Sequence, residues 1–124
     1  MSEAEEVYKI FVIEKEELRN LFRGIDGTRT IPFDSWLRAE NKWSVDSSNQ
    51  DPYLTGIHVL KEKDIAINYL KTNFRKERER VIVKCLAKDL RPKPTNSKVF
   101  LADWLYVPEE SFEERIEVEV DYSY

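Results

Sequence analysis

Cysteine and histidine each occur once in this sequence, and glycine only three times. The single Cys85 excludes an internal disulfide, and one cysteine with one histidine, in no paired spacing, excludes a Cys/His zinc site. None of the three glycines stands in a phosphate-cradling spacing, so a P-loop is excluded as well. No serine lies in a nucleophile-elbow setting. No apolar run approaches the roughly 18 residues of a membrane helix. The start of the chain, Met1 to Glu6, is acidic and has no apolar stretch behind a basic opening, so no secretory signal is expected. The expectation from these absences is a protein with no metal, no cofactor and no membrane contact, placed in the reducing, cytoplasmic interior of a cell.

What is present is charge and aromatic surface. Of the 124 residues, 35% are charged, against a usual share of about 25%. The hydrophobic fraction of 41% suffices for an ordinary core, and 12% aromatics argue against disorder, because rings offset chain entropy with large buried area. The length suits one domain over residues 1–124, with residues 1–6 and 109–124 flexible or peripheral. Lys and Glu dominate the polar positions, a composition resembling that of proteins from hot environments.

The net charge of −4 is unevenly spread. From Lys71 to Lys93 nine basic residues face three acidic ones, giving 9 − 3 = +6; from Glu109 to Tyr124 one arginine faces seven acids, giving 1 − 7 = −6. The two segments either attract and screen each other or address separate partners.

Val7 to Ile13 is β-branched and aromatic and predicts a strand. Glu14 to Phe22 fits a short helix by propensity, and fits equally a polar turn with a returning strand. Pro32 opens a segment expected to form a short helical turn through Glu40. Residues 41–52 are polar and predict a mobile loop. Gly56 to Leu60 is a short strand. Residues 62–73 form the clearest helix, with Ile65, Ala66, Tyr69 and Leu70 on one face. Val81 to Leu86 is nearly continuous in apolar character and predicts a central strand. Residues 91–96 carry two prolines and are expected to be a loop. Lys98 to Val107 predicts a strand stopped by Pro108. Arg115 to Tyr122 alternates with period two, as a half-buried edge strand does, and an acidic tail ordered by a partner is the alternative. The fold class expected is α+β, a mostly antiparallel sheet with one main helix at about 62–73.

Candidate functional residues are few. His58 opens a strand behind a polar loop, as a general acid/base at a cleft would, or as a hydrogen-bonded structural histidine beside a turn. Asp103 interrupts an apolar strand and by alternation shares a face with Leu101 and Leu105; a carboxylate there requires a partner or marks a site. Arg75, Lys76, Arg78 and Arg80 form a basic run able to hold nucleic-acid phosphates, although nearby aromatics do not alternate with it and the whole chain is acidic. Glu113, Glu114, Glu117 and Glu119 are the candidate contact for a protein partner or for self-association. Cys85, inside an apolar run, reads as a buried structural thiol.

Tyr8-Lys9-Ile10-Phe11, Leu21-Phe22, the stretch Ile31-Pro32 to Trp36-Leu37-Arg38-Ala39-Glu40, Gly56-Ile57-His58, Val81-Ile82-Val83 and Leu101-Ala102 to Trp104-Leu105 together resemble a family of small uncharacterised proteins of phages, archaea and mobile elements. The resemblance spans roughly residues 7–108. It implies that Leu18 to Arg23 is a second strand forming a hairpin with Val7 to Ile13, and it brings no activity. A wider likeness is to ADP-ribosyltransferase-like folds, through Gly56-Ile57-His58-Val59, Ala66 to Tyr69 and Val81-Ile82-Val83. The first strand lacks the His or Arg with which those enzymes bind their cofactor, and no counterpart of their catalytic Glu is found. The leading expectation is therefore a non-enzymatic viral or mobile-element accessory protein that binds a macromolecular partner inside the host cell. A nucleotide-binding enzyme with His58 at its cleft, and nucleic-acid binding through residues 75–93, are the alternatives.

Overall fold

A computed structural model describes residues 3–14, 17–20, 31–39, 43–46, 49–73 and 80–117. Its main sheet is built on β1 (Glu5–Glu14), β2 (Glu17–Asn20), β3 (Trp36–Arg38), β7 (Arg80–Lys88) and β10 (Trp104–Tyr106), in the order β2-β1-β7-β10-β3. A second sheet has the order β6-β9-β8, from β6 (Ile57–Val59), β8 (Arg91–Lys93) and β9 (Asn96–Ala102). All the pairings are antiparallel, and with α1 (Lys63–Asn73) as the main helix the fold is α+β.

Period-two alternation decides what each face of β1 and β7 buries. Val7, Lys9 and Phe11 stand opposite Cys85, Val83 and Val81. Together with Ala87 and Leu105, the apolar members of this set meet Ile57, Val59 and Ala102 of the second sheet in the larger apolar cluster. On the other face, Ile10 and Ile82 receive Ala66 and Leu70 of α1 in a smaller cluster. The helix forms where its sequence favours it, with Asp64 in the first turn and Lys71 in the last complementing the macrodipole. Leu70 and Ile82 are essentially inaccessible, each contributing about 1.5–3 kcal/mol through burial.

The strand β2 returns along β1, pairing Phe11 with Asn20 and Glu14 with Glu17, so the hairpin implied by the family resemblance is present; residues 21–23 lie outside the described residues. Four expectations from sequence are corrected. Residues 36–38 are extended as β3 at the edge of the main sheet, where pairing with β10 overrides the helical preference of the segment. Residues 41–52, expected to be a loop, contain β4 (Trp43–Asp46) and most of β5 (Asn49–Leu54), which form a two-stranded antiparallel sheet. Residues 91–93, expected in a loop, are the strand β8, and Pro92 is accommodated because β8 is an edge strand with an irregular register beside it.

The fourth correction concerns the late apolar strand, which breaks at Asp103 into β9 and β10, one in each sheet. Its neighbour does the same at Asp89, where φ is 58°, a left-handed conformation that Asp tolerates better than most residues. The result is a bent hairpin that leaves one sheet and enters the other, joined at the corner by the Asp103 N–H donating to the Lys88 carbonyl at 3.2 Å.

After β10 the short helix α2 (Glu109–Glu113) leads to β11 (Ile116–Glu117), which pairs with Ile82 and Val81. Residues 116–117 of the alternating segment are thus an edge strand, and residues 118–122 lie outside the described residues. No helix of the described residues is long and apolar enough to cross a membrane.

Candidate functional site

The bend at Asp103 sets the two residues before and after it apart. Asp103 does find the partner its apolar setting requires. Its Oδ1 accepts from Arg91 Nη1 at 2.7 Å, with both side chains less than one-third exposed. Arg91 Nη2 donates to the carbonyls of Thr55 at 2.6 Å and Leu54 at 3.3 Å, so one guanidinium ties the corner of the bent hairpin to the end of β5. Gly56 follows where a side chain would be tightly crowded. A Cβ there would meet Ala102 O at 3.0 Å, Leu101 Cβ at 3.1 Å and Arg91 Nη2 at 3.2 Å.

His58 stands opposite Leu101 on β9, on the face of β6 away from buried Ile57 and Val59. Leu101 in turn pairs with Arg91. His58 and Asp103 therefore lie on one side of the second sheet with Leu101 and Arg91 between them, and the Asp103 carboxylate is bonded to Arg91. That bond holds a chain corner together.

A titratable group missed from sequence sits beneath it. Lys9 is 4% exposed and faces the core between Val7 and Phe11. Its Nζ donates to the His58 carbonyl at 2.9 Å and lies 5.6 Å from the Phe11 ring centroid. Burial lowers its pKa from 10.5 to about 8, against a small opposing effect of Cys85. Cys85 is buried too, its thiol directed at the Val83 carbonyl 3.4 Å away, and burial pushes its pKa up to about 12. A thiol held protonated in the core is inert. The signal for Lys9 was legible: strict alternation places it with Val7 and Phe11.

Among the described residues, recognition chemistry gathers on the other face of the main sheet, at the end that α1 leaves open. Register places Lys88, Trp104 and Arg38 in one row across β7, β10 and β3, and Leu86, Tyr106 and Trp36 in the next. Leu37, Leu105 and Ala87 point the opposite way, into the larger cluster. The six outward residues belong to neither apolar cluster and are half-buried or exposed. Lys88 Nζ lies 4.2 Å from the Trp36 ring centroid, and Arg38 Cζ lies 5.6 Å from that of Trp104. The Trp36 and Tyr106 rings are 5.4 Å apart and tilted by 55°. Further along the same face, Lys84 is paired with Glu6 at 2.6 Å; the hydrogen bond and charge of Glu6, with a contribution from Glu114, raise its pKa. Among the described residues, the cations of the face that no carboxylate pairs are thus Arg38 and Lys88, each set over a tryptophan ring.

Of the basic run, Arg80 opens β7, and Arg75, Lys76 and Arg78 lie outside the described residues. Glu113 ends α2 and Glu114 follows it, both exposed; Glu117 is in β11, 3.3 Å from Arg115; Glu119 lies outside the described residues. The aromatic–basic face escaped sequence reasoning because its members come from three distant segments, one of them expected to be helical. The usable signal was local: Trp36-Leu37-Arg38 and Trp104-Leu105-Tyr106 each place an inward leucine between two outward polar or aromatic residues.

Comparison of the chain with family models, with curated proteins and with solved structures finds no match.

Proposed function

We propose that this protein is a binding module, and that it holds a polyanionic macromolecule on the face formed by Trp36, Arg38, Lys88, Trp104 and Tyr106. The supporting observation is the side-by-side placement of two cations and three large rings on one regular sheet surface. Aromatic side chains supply contact area at low conformational cost, and cations beside them supply attraction to phosphate or similar groups. The reading also accommodates a chain that is acidic overall. Of the acids that follow β10, Glu114 acts on Lys84 further along the face, and β11 pairs at Val81 and Ile82, several residues along β7 from Lys88. An accessory role, of the kind that goes with the resemblance to phage and mobile-element proteins, fits a module of this sort.

The test is retention on an immobilised sulfated polysaccharide under rising salt. The unaltered protein is expected to be retained at low ionic strength, and Arg38→Glu/Lys88→Glu to pass through. Equal behaviour of the two proteins, or no retention of either, would remove the proposal. Lys71→Glu/Lys98→Glu, two exposed changes outside the face, carries the same change of four charges and serves as the control for net charge.

A further inference from the structure

We infer that the polyanion is single-stranded nucleic acid, with bases stacked on Trp36, Trp104 and Tyr106 and phosphates held by Arg38 and Lys88. This inference rests on the binding face proposed above and deepens it. The first argument is the interleaving of the two residue types. Each row across the sheet carries rings beside cations: Lys88–Trp104–Arg38 in one, and Tyr106–Trp36 with Lys88 reaching over Trp36 in the next. A site for a sulfated sugar or an acidic peptide needs the cations, and uses rings only as contact area. A nucleic acid uses both, because every nucleotide brings a flat base and a phosphate.

The second argument separates single strands from duplexes. Trp104 and Tyr106 are two residues apart on one strand, so their positions are separated by about 6.7 Å. Successive bases in a duplex rise only about 3.4 Å and offer their flat sides to each other. Rings at twice that spacing receive bases only from a strand whose bases are splayed apart. The spread of β7, β10 and β3 covers about 10 Å, room for two or three nucleotides.

The third argument comes from the cations over the rings. Arg38 sits over Trp104 at 5.6 Å, and Lys88 over Trp36 at 4.2 Å. Both occupy, in the free protein, the ring faces that bases would take. Both are long and rotatable, so a base entering the ring face moves the charge outward to its own phosphate, and the cation–π contact is exchanged for an ion pair without rebuilding the backbone.

Fluorescence anisotropy of labelled oligo(dT) and oligo(U) tests the inference, alongside a duplex of mixed sequence and inorganic polyphosphate as a chain of phosphates without bases. Either single strand is expected to bind more tightly than both the duplex and polyphosphate. Trp104→Leu and Trp36→Leu, which keep apolar bulk and lose the π-face, are each expected to weaken single-strand binding by about 10-fold. Lys98→Gln, in the second sheet, is expected to leave it unchanged. Plotted as log K against log salt, two phosphate contacts give a slope of about −1.4, reduced in Arg38→Gln and retained in Trp104→Leu. If single strand, duplex and polyphosphate bind alike and the tryptophan changes have no effect, base stacking is overturned while the polyanion face stands. If none of the probes binds, both are overturned. Thermal unfolding of each variant shows whether a loss of binding reflects a lost contact or a lost fold.

Discussion

Lys9 and His58 meet where the main sheet touches the second one: the ammonium at the centre of β1 donates to the main-chain carbonyl of the histidine, 2.9 Å away. The contact lies beside the paired Tyr8 and Leu60, whose N–H and carbonyl groups exchange bonds of 2.7 and 2.8 Å. A lysine placed there bridges the sheets at the cost of burying its charge. An ammonium has three donors, and one acceptor among the described residues answers them.

Stability should therefore increase with pH just above neutrality. The Lys9 pKa is about 8 in the folded protein and 10.5 in a free side chain, so between these values the unfolded chain binds more protons and folding gains as pH rises. The burial cost is fully present below about pH 8 and relieved progressively above it. Cys85, with its pKa pushed up from 9.0 to about 12, acts in the opposite direction from about pH 9 upwards. Denaturant unfolding at near-neutral pH and at about pH 9 should show a gain of roughly 1 kcal/mol from Lys9. Lys9→Met should abolish that gain and be more stable than the unaltered protein near neutrality. A parallel pH profile in the variant would show that Lys9 is not the group responsible.

Arg91 and Asp103 should prove coupled. Arg91 holds the Asp103 carboxylate and two main-chain carbonyls. Removal of the arginine is expected to cost about 2–3 kcal/mol, with a coupling to Asp103→Ala of about 1 kcal/mol in a double-mutant cycle. Additive losses would contradict this account of the corner.

Gly56→Ala is expected to cost about 1–3 kcal/mol by overpacking, measured as a shift in the denaturant midpoint. The nearest obstacle is a main-chain oxygen of β9, which cannot turn aside as a side chain would. A neutral substitution would mean that β6 and β9 separate more readily than their register implies.

Cys85 should resist thiol reagents at mildly alkaline pH, where an ordinary cysteine is already partly ionised. Labelling is expected to proceed at the rate of unfolding and to accelerate with denaturant. Rapid stoichiometric modification of the folded protein would place the thiol in solvent, against its 1% exposure.

Much of this architecture was legible wherever the pattern was local. The run Val81 to Leu86 announces a strand covered on both faces, and it lies between β1 on one side and β10 and β11 on the other. Ile65, Ala66, Tyr69 and Leu70 mark one face of a helix, and Ala66 and Leu70 are the residues it buries most deeply. The errors fell where a distant partner decided the outcome. Trp36 to Arg38 is extended because β10 pairs with it, which nothing in residues 31–40 announces. Pro92 made a strand look impossible, and only its position at an edge permits one. Asp103 was recognised as requiring a counter-charge, but the identity of that group, twelve residues back across a hairpin, depended on a bend that local propensity does not encode. The candidate face suffered most, being an accident of register among three strands far apart in sequence.

The hairpin bent at Asp89 and Asp103 leaves neither sheet with a central strand of its own. Because β7 runs on into β8, and β9 into β10, the layers cannot detach and re-form as separate units. They share one cooperative fate, and amide protons on both sides of the corner should become exchangeable in the same opening event. The same continuity gives the outward rings a stiff mounting. Trp104 is the residue immediately after Asp103, so whatever pulls on its indole pulls on a corner already anchored through Arg91 to the backbone of β5 and the residue after it.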